Sequence, residues 1–210
     1  YEFDRLKNPS TGKIPNGIRE LELKFSEKIA LGDASQKTLA TSAKSSTSID
    51  YTNWKNRGPF NVGGRTRALA IDVTNENVIL AGGVSGGLWR SEDSGTSWKK
   101  VTRNFQAPSI TAIIQDPRPS KSNTWYYTSG ERLGNSATSS SFYTGTGVYK
   151  SQDGGRTFEL LRATADGTVA DISPFDITNS IAINPINGDI YVATFNGLHR
   201  STNDGNSFTE

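Results

Sequence analysis

Three stretches of this chain repeat one frame, and that repetition limits the fold more than any other feature of the sequence. They are Ser91-Glu92-Asp93-Ser94-Gly95-Thr96-Ser97-Trp98, Ser151-Gln152-Asp153-Gly154-Gly155-Arg156-Thr157-Phe158 and Ser201-Thr202-Asn203-Asp204-Gly205-Asn206-Ser207-Phe208. Each follows a short strand of one pattern, glycine, aliphatic, ring, base: Gly87 to Arg90, Gly147 to Lys150 and Gly197 to Arg200. A hairpin turn needs acceptors for its amides and one residue that tolerates positive φ. Serine, aspartate and glycine supply these, and the closing aromatic is expected to bury its ring beneath the turn.

Upstream of each frame lies a second strand (residues 78–81, 124–128 and 190–194) and before it a third (66–71, 110–115 and 180–183), closed by Asp72, Asp116-Pro117 or Asn184-Pro185. From that Asp or Asn to the frame's serine the chain runs 19, 35 and 17 residues, so the middle unit carries an insertion, placed at Glu131 to Thr146. Its Gly, Asn, Ser and Thr content suits a surface loop. A unit of three or four strands cannot bury both faces alone, and repeats of this length stack radially. The expected fold class is therefore all-β: a partial β-propeller of about three blades over residues 51–210. Three blades do not close a ring, and the polypeptide is expected to continue beyond Glu210.

Residues 1–50 are different. Ile18, Leu21, Phe25 and Ile29 recur at helical spacing after Asn16-Gly17, which predicts one amphipathic helix, and residues 32–50 are a Ser/Thr-rich linker. Composition agrees with a turn-rich β protein, with 21 glycines and 33% apolar residues. No apolar run approaches the roughly 20 residues of a membrane-spanning helix. The net charge of +2 is interspersed, without the basic stripe that a nucleic-acid groove needs. With no cysteine, disulfides and thiolate metal sites are excluded.

The three frames resemble the Asp-box, or BNR repeat, with Asn203 in place of the aspartate. That motif is shared by sialidases, xyloglucan-cleaving propeller hydrolases, sortilin-type receptors and photosystem assembly factors, so the resemblance implies the fold and leaves the chemistry open. Residues 8–15 with the helix after them, Arg57 to Arg67, Ala81 to Ser91 and Gln115 to Pro119 resemble the N-terminal part of large exported, sortilin-like propeller proteins of Bacteroidetes. The resemblance implies a secreted or outer-surface location, with the type IX secretion translocon as a partner during export.

Arg65 and Arg67 stand at the entrance to the first inner strand, where alternation aims both at one side of the sheet. They form either a cationic floor at the central channel or, the preferred reading, a pair of structural arginines bonding carbonyls of neighbouring blades. Glu131, at the mouth of the insertion, is the best candidate for one of the two carboxyl groups of a glycoside hydrolase. Asp116 is the alternative, although it and Asp72 hold strand-end positions that suit a turn role. Phe142 and Tyr143 in the insertion either offer a stacking surface to a sugar or peptide or fold onto Trp125 and Tyr127. The tripeptide Arg-Ile-Pro of sialidases is missing. No metal or cofactor is expected: the only histidine, His199, holds the ring position of Trp89 and Tyr149, and Gly82-Gly83 and Gly86-Gly87 lack a phosphate loop's Gly-Lys-Ser/Thr ending. The expected function is an exported recognition propeller for a protein or glycan; the alternative is a xyloglucanase-like glycoside hydrolase.

Overall fold

The computed structural model describes residues 7–8, 10–13, 64–104, 106–132, 143–165 and 173–210. The chain divides between Gly63 and Gly64. In the first part, the described residues form a turn in which the amides of Thr11 and Gly12 donate to the Asn8 carbonyl at 3.3 and 2.8 Å. The expected helix around Ile18 to Ile29, the linker at 32–50 and the boundary near residue 50 lie outside the described residues.

Gly64–Glu210 folds as three antiparallel sheets, each a blade. Blade 1 holds β1 (Thr66–Ile71), β2 (Ile79–Gly83), β3 (Gly87–Ser91) and β4 (Lys99–Lys100), paired in that order. Blade 2 repeats the arrangement with β5 (Ile110–Gln115), β6 (Trp125–Ser129), β7 (Val148–Ser151) and β8 (Glu159–Leu160). Blade 3 has β9 (Thr178–Ile183), β10 (Ile190–Thr194) and β11 (Leu198–Ser201), with an Arg200–Thr209 bridge where its fourth strand would pair. Among the described residues the helical elements are two short 3₁₀ turns, Arg162–Thr164 and Pro174–Asp176.

The hairpins close as their residues dictate. In the first, the Ser91 hydroxyl donates to Asp93 Oδ1 (2.7 Å) and accepts from the Gly95 amide (2.8 Å), while Asp93 accepts from the Ser97 amide (2.8 Å) and hydroxyl (2.6 Å). The second repeats this with Ser151, Asp153, Gly155 and Thr157. In the third, Asn203 Oδ1 accepts from the Ser207 amide, and its Nδ2 donates to the Ser207 hydroxyl at 2.8 Å, reversing the polarity of one bond and preserving the turn.

Strand alternation gives each blade two apolar faces, and neighbouring blades share the cores between them. Leu80 and Leu88 of blade 1 meet Trp125, Tyr127, Tyr149 and Phe158 of blade 2. The opposite face of blade 2, with Tyr126 and Val148, meets Ile181, Ile183, Ile190 and Val192 of blade 3. His199 is buried 4.8 Å from the Phe175 ring, in the slot expected of it. The closing aromatics differ: Phe158 is 1% exposed and Phe208 packs on the second core, whereas Trp98 is 39% exposed. Trp98 lies on the side of blade 1 turned away from blade 2, so no core is built over it by the described blades.

The inner strands lie side by side, with β5 against both β1 and β9. Each has an irregularity at its second residue. Register slips between Thr66 and Ala68 on β1, between Ile110 and Ala112 on β5, and at Thr178 opposite the Ala193/Thr194 step on β9. Arg67, Thr111 and Asn179 are thus the bulged residues of three equivalent strands. A bulge re-aims its side chain and bends the strand, which makes this end of the blades the place to look for function.

Candidate functional site

At that end, three of the residues singled out from sequence converge. Arg65 Nη2 donates to Glu131 Oε2 at 2.8 Å, and Arg67 Nε lies 3.7 Å from Glu131 Oε1. Where carbonyl partners were expected for the two arginines, the partner is a carboxylate of the next blade. The bulge at Arg67 breaks the two-residue period, and it is the position of Glu131 on blade 2 that gathers both guanidinium groups. Glu131 is 3% exposed, while both arginines are about half exposed. Oε1 makes no hydrogen bond, so the carboxylate holds acceptor capacity that the arginines leave unused.

Backbone contacts fix Glu131 in place. Its amide and carbonyl exchange hydrogen bonds with Tyr143, both 2.8 Å, so the insertion begins and ends as a two-residue ladder. One step below, Gly130 donates to the Ser109 carbonyl (3.1 Å) and accepts from the Thr178 amide (3.1 Å), and the Gly145 amide donates to Asp176 (2.7 Å). Gly130 has φ of 90°, and a β-carbon there would lie 1.8 Å from the Asp176 carbonyl oxygen, so the chain requires glycine at this crossing. Below the crossing, Thr111 shares hydroxyl bonds of 2.9 Å with Thr128 and Thr178, and Thr178 donates to the Ser129 carbonyl at 2.7 Å. The stem of the loop is therefore held by blades 2 and 3 together.

Tyr143 is partly exposed beside this cluster, and Trp125 and Tyr127 are committed to the core against blade 1, so Tyr143 does not join a minor core with them. Phe142 lies outside the described residues. Two further groups occupy this end and carry no sequence signal of their own. Arg132 stacks over the Phe195 ring with 4.2 Å to the centroid, and the Phe195 amide donates to Ile177 at 2.9 Å. The partners are distant in the chain, and a pairing of this kind has no local pattern to reveal it.

Asp116 sits elsewhere. It closes β5 at the opposite end, where the Asp-box turns lie. There it is buried and held by Arg118 through Nε (3.0 Å) and Nη2 (2.6 Å) and by the Arg118 amide (3.1 Å). Burial raises its pKa, but the Arg118 bonds outweigh that and hold the carboxyl below its ordinary range. Asp72, its counterpart on blade 1, caps the next turn through the Thr74 amide and hydroxyl, both 2.7 Å. Both positions fit the turn role suggested by the repeat.

A cleft of about 420 Å³ runs beside Arg65 along Gly83, Val84 and Gly86 to Trp89 and Trp98. In blades 2 and 3 the places of Trp89 and Trp98 are filled by Tyr149 and Phe158 and by His199 and Phe208, all packed toward the preceding blade. The aromatic lining is thus blade-packing surface. Gly82 and Gly83 serve close packing too, since a β-carbon on Gly82 would fall 2.4 Å from Ile110 Cγ2. Among the described residues, no three His, Cys, Asp or Glu side chains gather where they could hold a metal ion.

No protein-family model matches the chain. It is similar to a xyloglucanase of a Paenibacillus species, 28% identical over an alignment 149 positions long that covers 62% of this chain and 14% of the relative. Among solved structures, an ancestral GH74 enzyme aligns at 25% identity with a TM-score of 0.52, over 69% of this chain and 18% of that chain. The GH74 enzyme of Niastella koreensis aligns at 21% identity with a TM-score of 0.46, over 68% of this chain and 21% of that chain. The chain thus spans less than a fifth of the xyloglucanase and of the ancestral enzyme. The similarity to the ancestral GH74 enzyme agrees with the partial propeller, and the xyloglucanase is one of the several kinds of protein that the Asp-box suggested.

Proposed function

We propose that the chain is part of a polysaccharide-handling propeller of the xyloglucanase-like kind, working outside the cell, and that the glycan meets it at the Glu131 end of the blades. The observation that carries this reading is the convergence of Arg65 and Arg67 on the buried Glu131 carboxylate at the bulged ends of the inner strands. The similarity to a xyloglucanase supports a glycan as the ligand class. Sugar hydroxyls donate as well as accept: Glu131 Oε1 is an unfilled acceptor, and the half-exposed arginines have spare N–H groups. Arg67, at 3.7 Å from Oε1, is the side chain that has to swing aside for a hydroxyl to reach it.

Hydrolysis needs a second carboxyl about 5–9.5 Å from the first. Asp116 does not supply it, because the six residues of β5 separate the two ends of the blade by roughly 17–20 Å. Glu131 is therefore proposed as a glycan-binding group, and as one member of a catalytic pair where a second carboxyl faces it. The test is a panel of soluble polysaccharides including xyloglucan, scored for binding and for release of reducing ends, with wild type, Glu131→Gln and Arg65→Ala. Binding at least tenfold weaker in both variants, with the fold retained by circular dichroism, is expected. Binding that is unchanged in both, or absent for every glycan with wild type, sinks the proposal.

A further inference from the structure

Blade 3 contains two Asn-Gly pairs, Asn187-Gly188 and Asn196-Gly197, and the fold treats them in opposite ways. Asparagine before glycine is the pair in which the following amide nitrogen reaches the side-chain carbonyl with least obstruction, because glycine brings no side chain to the crossing. Both asparagines are exposed, so water reaches each. What differs is the hold on the reacting atoms.

At Asn187 each polar atom of the reaction is taken up. The Gly188 amide, which would have to attack, donates to the Asn184 carbonyl at 2.9 Å. Asn187 Oδ1 accepts from the Asp189 amide at 3.0 Å, and its Nδ2 donates to Asp189 Oδ2 at 3.1 Å. Gly188 is buried, with φ of 81°, and a β-carbon there would fall 2.0 Å from Arg118 Nη1, so a ring has no room to close. At the other pair, among the described residues, neither the Gly197 amide nor Asn196 Nδ2 makes a hydrogen bond. The contact that the Asn196 side chain does make favours attack. The buried Thr194 hydroxyl donates to Asn196 Oδ1 at 2.9 Å, which draws electron density from Cγ and offers a donor to the negative charge that attack places on Oδ1.

We propose that Asn196 is a site of spontaneous deamidation promoted by Thr194, while its twin Asn187 is protected by the fold. The Gly197 nitrogen gives its proton to hydroxide and bonds to Asn196 Cγ; the Cγ–Nδ2 bond breaks, and Nδ2 takes a proton from water and leaves as ammonia. Water then opens the succinimide at either carbonyl, giving aspartate or, with the main chain rerouted through the β-carbon, isoaspartate. Overall one water is consumed and one ammonia released. The place of the product gives it consequence. Asn196 follows Phe195, whose ring carries Arg132, so the reaction adds a lasting negative charge to the end of the blades that presents the exposed Arg65, Arg67 and Arg132. This ageing of the surface is independent of the glycan reading.

The test ages the Tyr1–Glu210 chain in mildly alkaline buffer, folded and in urea, and follows acid formation at positions 187 and 196 by fragment-ion mass spectrometry, with isoaspartate scored by enzymatic methylation. Each hydrogen bond that must break slows Asn187, so in the folded chain Asn196 should react faster by about tenfold or more, and in urea the two rates should converge. Thr194→Val should slow Asn196 by about two- to tenfold, and Thr194→Ser should keep the wild-type rate. A slow Asn187 in each variant reports that the blade is still folded, and Thr194→Ala is read in place of Thr194→Val if Asn187 speeds up. The proposal is overturned if Asn187 keeps pace with Asn196 in the folded chain, if urea leaves their ratio unchanged, or if removal of the Thr194 hydroxyl leaves the Asn196 rate unchanged or raises it.

Discussion

The three Asp-box glycines provide an internal control for how much of a turn's stability comes from its backbone and how much from the blade behind it. Gly95, Gly155 and Gly205 have φ of 86°, 77° and 87°, so replacement by alanine costs each the same conformational penalty, about 1–2 kcal/mol. The surroundings differ. A β-carbon at Gly155 would sit 2.9 Å from Leu80 Cδ2 of blade 1, and at Gly205 2.6 Å from Leu161 Cδ1 of blade 2, whereas at Gly95 the nearest atom is Trp98 at 3.5 Å. Leu80 is fully buried and has no free space to retreat into, so overpacking adds about 1–3 kcal/mol at Gly155. Leu161 is only partly buried and can give way, so the addition at Gly205 is smaller. Urea titration should therefore rank the losses Gly155→Ala, Gly205→Ala, Gly95→Ala, from about 2–5 down to 1–2 kcal/mol at constant m-value. In a Leu80→Ala background the clash is gone, and Gly155→Ala should fall to the Gly95→Ala value, a coupling of about 1 kcal/mol or more. Equal losses at the three glycines, or no coupling with Leu80, would refute the claim that the preceding blade packs on the turn.

Two other outcomes follow from the opposite ends of the same scaffold. Arg118→Ala strands the buried Asp116 carboxylate and severs the ties of Arg118 to Asp204 (3.3 Å) and to the Asn187 carbonyl (3.3 Å), so a loss of about 3 kcal/mol is expected in chemical denaturation; a loss below about 1 kcal/mol would show the contact to be dispensable. Asp93 and Asp153 have pKa values held down to about 2, Asp93 by the Ser97 hydroxyl and amide, Asp153 by Thr157 and Ser151 in spite of burial that acts the other way. An unfolded aspartate titrates near 3.9, so these turns contribute stability above about pH 4 that is lost as the pH falls from there toward 2. Asp93→Asn with Asp153→Asn, which copies the asparagine found naturally at Asn203, should flatten that part of the acid-unfolding curve, and an unchanged curve would place the acid sensitivity elsewhere.

The sequence discloses those parts of the fold whose cause is local. Each hairpin turn is built from residues within seven positions of one another, and all three close with the expected serine, Asp or Asn, and glycine bonds. Strand positions were legible to within two residues, and the misses have causes. The second strand of blade 1 runs through Gly82 and Gly83, which look like breakers; the glycine at 82 is there because Ile110 of the next blade leaves no room for a side chain. The inner strand of blade 3 starts at Thr178, ahead of the expected Ser180, because a bulge offsets the register. The site was legible as a set of residues, Arg65, Arg67, Glu131 and Tyr143, and illegible as a geometry. Whether Glu131 faces solvent or sits under two arginines depends on how blade 2 is set against blade 1, and no window of sequence carries that.

The two ends of the blades differ in how their carboxylates are held. At one end, Asp72, Asp93, Asp116 and Asp153 are each taken up by turn amides, hydroxyls or Arg118, and the turn carbonyls of Gly154 and Asp204 accept from Arg90 and Lys150. A carboxylate already bonded to its own turn is poorly placed to exchange a proton with a substrate. At the other end, Glu131 rests on a stem braced by Ser109, Asp176 and Thr178, with one oxygen unbonded and two half-exposed arginines for cover. A rigid support beneath an incompletely satisfied buried carboxylate is an arrangement that folding alone does not require, since an apolar residue would leave no unmet acceptor. For the proposed glycan role, the second carboxyl that hydrolysis would require is therefore to be sought at the Glu131 end before the Asp-box end.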